Sequence, residues 1–226
     1  MNQFRKIVPS LFTLANLCFG FLSILAADYY LSPMFLFASL LCDAFDGALA
    51  RKLDVQSNMG KELDSLADMV SFGLAPAYLY HLMAPEMNII SFIAPLFIIT
   101  GSALRLAKFN LMPSMKYFTG LPTPANAFFY TGLFLGVHYD NGIIKSLYSH
   151  QSVYLLTAIF MSLLLISGIK MFSLKGLEKD FSKNKFQFIL LISFVGLLLF
   201  NIQLAIPIGV CFYVLLSVVY TFALQQ

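Results

Sequence analysis

Eight stretches of this chain are apolar enough to be read as membrane helices, which leaves little else for it to fold into. A helix needs about 17–25 predominantly apolar residues to cross a bilayer. The expected segments are 9–27, 33–52, 61–83, 88–107, 121–139, 152–172, 186–200 and 203–224. The seventh is the shortest and ends at the break Asn201-Ile202-Gln203, and Pro207 predicts a kink or shifted start in the eighth. Of the 226 residues, 59% are hydrophobic and 11% charged, against about a quarter charged in a soluble domain. That excludes a water-covered globule. The expected class is all-α: a polytopic integral membrane bundle of about eight transmembrane helices, forming one membrane-embedded domain over 1–226.

Positive charge gives the orientation. Arg5 and Lys6, then Arg51, Lys52 and Lys61, then Arg105, Lys108 and Lys116, and finally Lys170, Lys175, Lys179, Lys183 and Lys185 fall on one side of this topology. They are 13 of the 14 Lys and Arg, with Lys145 alone opposite. The positive-inside rule puts them and both termini in the cytoplasm, in an inner or cytoplasmic membrane. Arg5 and Lys6 precede an apolar run as in a signal peptide, but no small-residue cleavage site follows, so the first helix is expected to be retained. Cys18, Cys42 and Cys211 are widely spaced in apolar stretches and read as packing residues, without a disulfide framework or zinc site.

Four carboxylates interrupt this apolar pattern. Asp43 and Asp46 are three apart, and Asp64 and Asp68 are four apart, so each pair shares a helix face. Residues 52–59 read as a polar turn that makes the two helices antiparallel neighbours, with the acids converging near the cytoplasmic surface. An ionised Asp at the centre of a membrane helix costs about 2.5–3.5 kcal/mol. Nearer the interface the cost falls, but clustering adds repulsion. Pairing with Arg51, Lys52 and Lys61 explains one or two acids, not four. Divalent cations resolve the repulsion, and all-oxygen ligands favour Mg²⁺ or Mn²⁺, with Ca²⁺ as an alternative occupant. Gly47, Ala50 and Gly60 leave room beside the acids, and Arg51 suits a phosphate. The combination points to a phosphoanhydride with a lipid tail. His81, His138 and His150 fall on the opposite side.

The segment D43-x2-D46-G47-x2-A50-R51-x8-G60-x3-D64-x3-D68 resembles the CDP-alcohol phosphotransferase motif at every defined position. The resemblance implies a helical membrane enzyme, usually a homodimer, that displaces CMP from a CDP-linked donor with an alcohol at the cytoplasmic face. It implies that Asp43, Asp46, Asp64 and Asp68 hold two divalent cations and that Asp68 is the general base. Gly47, Arg51 and Ser57 match positions that bind the CDP part, with Ala50 and Gly60 giving it space. Pro9-x3-Thr13-x2-Asn16 is similar to an amino-terminal family element near the nucleotide, although Ser10 stands where relatives often have Asn. Thr13 and Asn16 also fit ordinary polar residues near a helix start.

Three further stretches resemble the phosphatidylserine synthases of that family: 68–77, Arg105-Leu-Ala-Lys-Phe-Asn110 and 118–125. Lys108 stands where relatives more often carry Arg. What this implies is a CDP-diacylglycerol donor and an L-serine acceptor. Serine is a zwitterion and needs a cation for its carboxylate, for which Arg105 and Lys108, with Asn110 nearby, are the candidates. No Ser, Cys or His nucleophile beside a base is apparent, so direct single-step transfer is expected. The partners expected are these substrates and the bilayer, with no nucleic acid. Three readings compete: the same enzyme class with glycerol 3-phosphate, inositol or choline as acceptor, a cation-coupled transporter using the four Asp, and a membrane scaffold. The Lys-rich 170–185 loop and the last hundred residues carry no motif.

Overall fold

The apolar runs form helices whose apolar side chains are largely left on the outside. In the computed structural model, residues 2–111, 118–139, 142–172 and 184–223 are described. Helix α1 (Asn2–Ala26) turns through 27–30 into α2 (Leu31–Lys52). Next come α3 (Asn58–Asp68), a π-helical turn (Met69–Leu74) and α4 (Ala75–Leu82), which run on as one helical rod. Then follow α5 (Ile89–Leu111), strand β1 (Phe118–Thr119), α6 (Thr123–His138), α7 (Gly142–Tyr148), α8 (Gln151–Ile166), strand β2 (Lys170–Met171), α9 (Lys185–Phe200) and α10 (Ile202–Ala223). Lys116 and the centre of the Lys-rich loop, with Lys175, Lys179 and Lys183, lie outside the described residues.

Among the described residues, four helices contain segments long and apolar enough to cross a membrane: Ile7–Ala26, Leu31–Lys52, Ile89–Leu111 and Leu204–Thr221. Helices α7 and α8, bent by 93° at their break, make a fifth if they form one broken span. The other expected crossings differ for two physical reasons. The run at 61–83 carries its acids in α3 and changes helical pitch at Met69–Leu74. Helices α6 and α9 have only 16 residues each. The expected break near 201 is present: Asn201 is extended, and its Oδ1 accepts from Leu204 N at 3.1 Å. Pro207 falls inside α10. Ile89, Ile192 and Leu199 are 70%, 70% and 84% exposed, side chains that only an apolar surround would cover.

The core lies where α4, α5, α6, α8 and α10 meet. Tyr80 Oη donates to Tyr154 O at 2.6 Å and Tyr154 Oη to Tyr80 O at 3.1 Å, with the two rings stacked 4.3 Å apart. Each ring buries large apolar area while its hydroxyl finds a carbonyl. Helix α1 packs along α2 and also against α3 and the π turn. The α2–α3 connection closes with Val55 N donating to Ala50 O at 3.1 Å and Asp54 at φ 52°, a left-handed conformation that Asp tolerates.

A two-residue ladder joins β1 to β2 antiparallel, Phe118 opposite Met171 and Thr119 opposite Lys170. Beyond it, Gly120 N donates to Ile169 O at 2.9 Å and Leu121 N to Leu164 O at 3.0 Å. Gly120 has φ 76° with its backbone against Leu165 O, a position where any Cβ would be strained and would clash. Pro122 and Pro124 flank the start of α6. The joint therefore locks the α6 entry to the end of α8.

Candidate active site

The carboxylates meet across a space that α2 and α3 leave between them. Both helices pack chiefly against α1 rather than against each other, so α1 lies beside the two acid-bearing segments. One carboxylate oxygen from each of Asp43, Asp64 and Asp68 lies within 4.8 Å of the others. Asp46 stands outside that trio but within electrostatic reach of Asp68, as do Asp43 and Asp64. Asp46 and Asp68 are buried, whereas Asp43 and Asp64 are half-buried. Three hard oxygen donors this close fit a divalent cation such as Mg²⁺, Mn²⁺ or Ca²⁺, which neutralises them.

Helix α1 supplies the polar groups that hold the two buried acids. Thr13 Oγ1 lies 2.7 Å from Asp46 Oδ2 and 3.2 Å from Pro9 O. Asn16 Nδ2 donates to Asp68 Oδ1 at 3.1 Å. Ser39 Oγ donates to Asn16 Oδ1, consistent with the orientation that the acceptor-only Asp68 carboxylate imposes on the amide, and Ser71 Oγ donates to Asn16 O at 2.9 Å. Thr13 and Asn16 are buried in the middle of α1, not placed near its start. Such hydrogen bonds to charged acceptors are roughly twice as strong as neutral ones.

Gly20, Ser39 and Ser71 escape a reading based on the acids alone. A Cβ at Gly20 would lie 2.6 Å from Ser71 Cα, so α1 can approach the π turn only where residue 20 lacks a side chain. Their signal was available in the spacing: Ser39 is four before Asp43, and Gly20 is four after Asn16.

The other motif residues divide by position. Arg51 is exposed in the last turn of α2, and a Cβ at Gly47 would lie 3.4 Å from its Nη1, so the guanidinium lies over Gly47. Ala50 and Gly60 are half-buried around the same turn. Ser57 is the N-cap of α3, its Oγ accepting from Gly60 N at 3.0 Å. That contact gives Ser57 a local structural role whatever else it binds.

The three candidates on α5 do not act as one cluster. Arg105 is buried, donates through Nε to Leu121 O, and lies within electrostatic reach of Asp68. Lys108 is exposed, with Nζ 3.4 Å from Ile166 O. Asn110 ties α5 to α3: its Nδ2 donates to Ser65 Oγ at 2.8 Å, and Lys61 Nζ donates to its carbonyl at 2.8 Å. His81 and His138 sit away from the acids, His81 Nδ1 2.8 Å from Ser91 O and His138 stacked on Tyr29. The three cysteines are free.

Comparison with known proteins bears on what this arrangement does. The family model for CDP-alcohol phosphatidyltransferases matches residues 6–164. The chain is 37% identical over 175 residues to the CDP-diacylglycerol–serine O-phosphatidyltransferase of Methanocaldococcus jannaschii, covering 75% of this chain and 77% of that protein. It is 40% identical over 124 residues to the enzyme of the same name from Bacillus subtilis, covering 52% and 69%. The enzyme of that name from Helicobacter pylori is 32% identical over 200 residues, covering 84% and 80%. With its match running from the first helix through the four aspartates to α8, this chain belongs to the CDP-alcohol phosphatidyltransferase family.

Proposed function

We infer that this protein transfers the phosphatidyl group of CDP-diacylglycerol to the hydroxyl of L-serine, giving phosphatidylserine and CMP. The observation that carries the chemistry is the convergence of Asp43, Asp64 and Asp68, with Asn16 bonded to Asp68. The acceptor is inferred from the names of its relatives.

Asp43, Asp46, Asp64 and Asp68 would hold the family's divalent cations, two Mg²⁺ or Mn²⁺ ions on this reading. Bound there, the cations supply charge neutralisation for the pyrophosphate and the departing CMP. Asp68 accepts the proton of the serine hydroxyl, held in position by the Asn16 amide. The serine oxygen attacks the phosphorus that carries diacylglycerol, and the bond from that phosphorus to the oxygen of CMP breaks. No covalent enzyme intermediate forms, so the configuration at phosphorus inverts. Thr13 steadies Asp46 in the same way. Gly47, Ala50, Arg51, Ser57 and Gly60 receive the CDP part near the α2–α3 turn, where Arg51 meets a phosphate. Arg105 is the better placed cation for the serine carboxylate, since it is buried within electrostatic reach of Asp68 whereas Lys108 is exposed. Asn110 braces α3 against α5.

The same reading keeps one domain over 1–226, eight membrane-embedded segments, a homodimer, and both termini with the acidic site on the cytoplasmic side of the inner membrane. The skew of Lys and Arg supports the orientation.

The test is transfer of labelled serine to lipid by purified protein in detergent, with CDP-diacylglycerol and Mg²⁺ or Mn²⁺. Labelled phosphatidylserine with CMP release, abolished by EDTA and by Asp68→Asn, is expected. CMP release with glycerol 3-phosphate or inositol and none with serine would overturn the acceptor.

A further inference from the structure

Away from the carboxylates, two buried polar side chains have no task in the chemistry above. Ser102 on α5 and Asn126 on α6 are both 0% exposed. Among the described residues, neither the Ser102 hydroxyl nor either amide atom of Asn126 has a hydrogen-bond partner. Leaving one such group unpaired in an apolar interior is unfavourable, and native proteins rarely keep them without a use.

Along their own elements, both residues stand within a few positions of groups tied to the reacting end. Gly73 follows Asp68 by one π turn, and a Cβ at Gly73 would lie 3.3 Å from Ser102 Cβ. Ser102 precedes the buried Arg105 on α5 by one turn. Asn126 stands one turn into α6 beyond Leu121, whose carbonyl accepts from Arg105. On α5 the step from Arg105 to Ser102 is about one helical pitch, ~5.4 Å. The proposed CDP residues lie the other way along the chain, toward the α2–α3 turn.

We propose that Ser102 and Asn126 form the floor of the acceptor site and bind the amino-acid end of serine, an inference that rests on the reading of the chain as a serine transferase. A serine whose hydroxyl meets Asp68 carries its ammonium and carboxylate a few bonds further on, and it must satisfy both in a buried place. Asn126 offers one acceptor for the ammonium and two donors for the carboxylate, and the Ser102 hydroxyl can serve either. Neutral dipoles suit a zwitterion that comes and goes, because a fixed charge at this depth would stay uncompensated whenever the site emptied. Arg105, buried and anchored on Leu121 O, supplies the cationic partner.

Steady-state kinetics on Asn126→Leu and Ser102→Ala in the full-length detergent-solubilised protein test this. Leu keeps the branched, four-atom outline of Asn, and removing polar atoms that are unpaired in the free protein offsets the cost of its extra bulk, so Tm should stay close to that of the parent. The serine KM should rise about tenfold or more, the loss expected for a hydrogen bond to a charged group, while the KM for CDP-diacylglycerol stays within about twofold. A merely structural role would not move the serine KM while Tm held. Should Asn126→Leu lower Tm, Ser102→Ala decides on the same readout, since it removes only a hydroxyl. A serine KM within about twofold of the parent in a folded variant would leave Ser102 and Asn126 to internal solvent and overturn the proposal. Failure of the underlying reading would appear elsewhere, as a parent protein that transfers to another alcohol and not to serine.

Discussion

Asn16 on α1 and Asp68 at the end of α3 are 52 residues apart in sequence, yet the Asn16 amide donates to the Asp68 carboxylate at 3.1 Å. The same amide accepts from Ser39 on α2 through Oδ1, and the Asn16 carbonyl accepts from Ser71 in the π turn. One buried residue therefore joins the three elements that surround the acids. Its side chain can turn neither toward nor away from Asp68 without breaking another bond.

Asn16→Ala should lower kcat by roughly 10²-fold, the cost of letting a reacting group drift by about 1 Å. Losing the bond to a charged group should also cost about 1.5–3 kcal/mol of stability. Asn16→Asp, which sets a like charge against Asp68, should be worse at neutral pH. Serine-transfer kinetics with a thermal melt on each variant check this, and Asn16→Ala with parental kcat would remove Asn16 from the site.

Metal dependence has a sign that activity alone does not reveal. Saturating Mg²⁺ or Mn²⁺ should raise the Tm of the parent protein, by the equivalent of about 2.7 kcal/mol at a hundred times Kd. Asp64→Asn should lose most of that shift. Without metal the same variant should melt no lower than the parent, because one of three crowded carboxylates is gone. Equal metal-induced shifts in both proteins would dissociate the acid cluster from cation binding.

Close backbone approach makes two glycines irreplaceable. Gly20→Ala should cost about 1–3 kcal/mol by pushing α1 off Ser71, and activity should fall with it because Ser71 bonds Asn16 O. Gly120→Ala should be destabilising through its φ of 76° and the Leu165 carbonyl. Gly168→Ala, where nothing lies within 4 Å of the added atom, is the control. Comparable melts for all three would contradict the packing described here.

The turn between α1 and α2 should respond to acid. The Asp28 carboxylate accepts from Leu31 N and Tyr30 N, each at 2.8 Å, and these bonds hold its pKa below the ordinary carboxylate value. Its contribution is therefore fully present above that ordinary value and is lost as pH falls through the lowered one. Asp28→Asn keeps an acceptor at the cap but removes the titration. Its melting temperature should lose the part of the acid-side slope that belongs to this turn, and an unchanged slope would show that Asp28 does not contribute.

Sequence by itself determined the helical membrane class, the pairing of the four aspartates on helix faces, the turn after Lys52 and the break at Asn201. Each is written in local spacing: apolar runs, i,i+3 and i,i+4 positions, and residues that cap or stop a helix. Only the tertiary structure decided that Thr13 and Asn16 grip Asp46 and Asp68, because that depends on how α1 is rotated against two distant helices. It also separated Arg105 from Lys108, which share a helix but meet Leu121 and Ile166 respectively. The number of full crossings was another matter of tertiary structure. Apolar composition records that a segment avoids water, not whether lipid or neighbouring helices cover it, and the short helix α6 is largely buried by its neighbours. Ser102 and Asn126 were beyond the sequence for the same reason: their burial without hydrogen-bond partners is set by the helices packed around them.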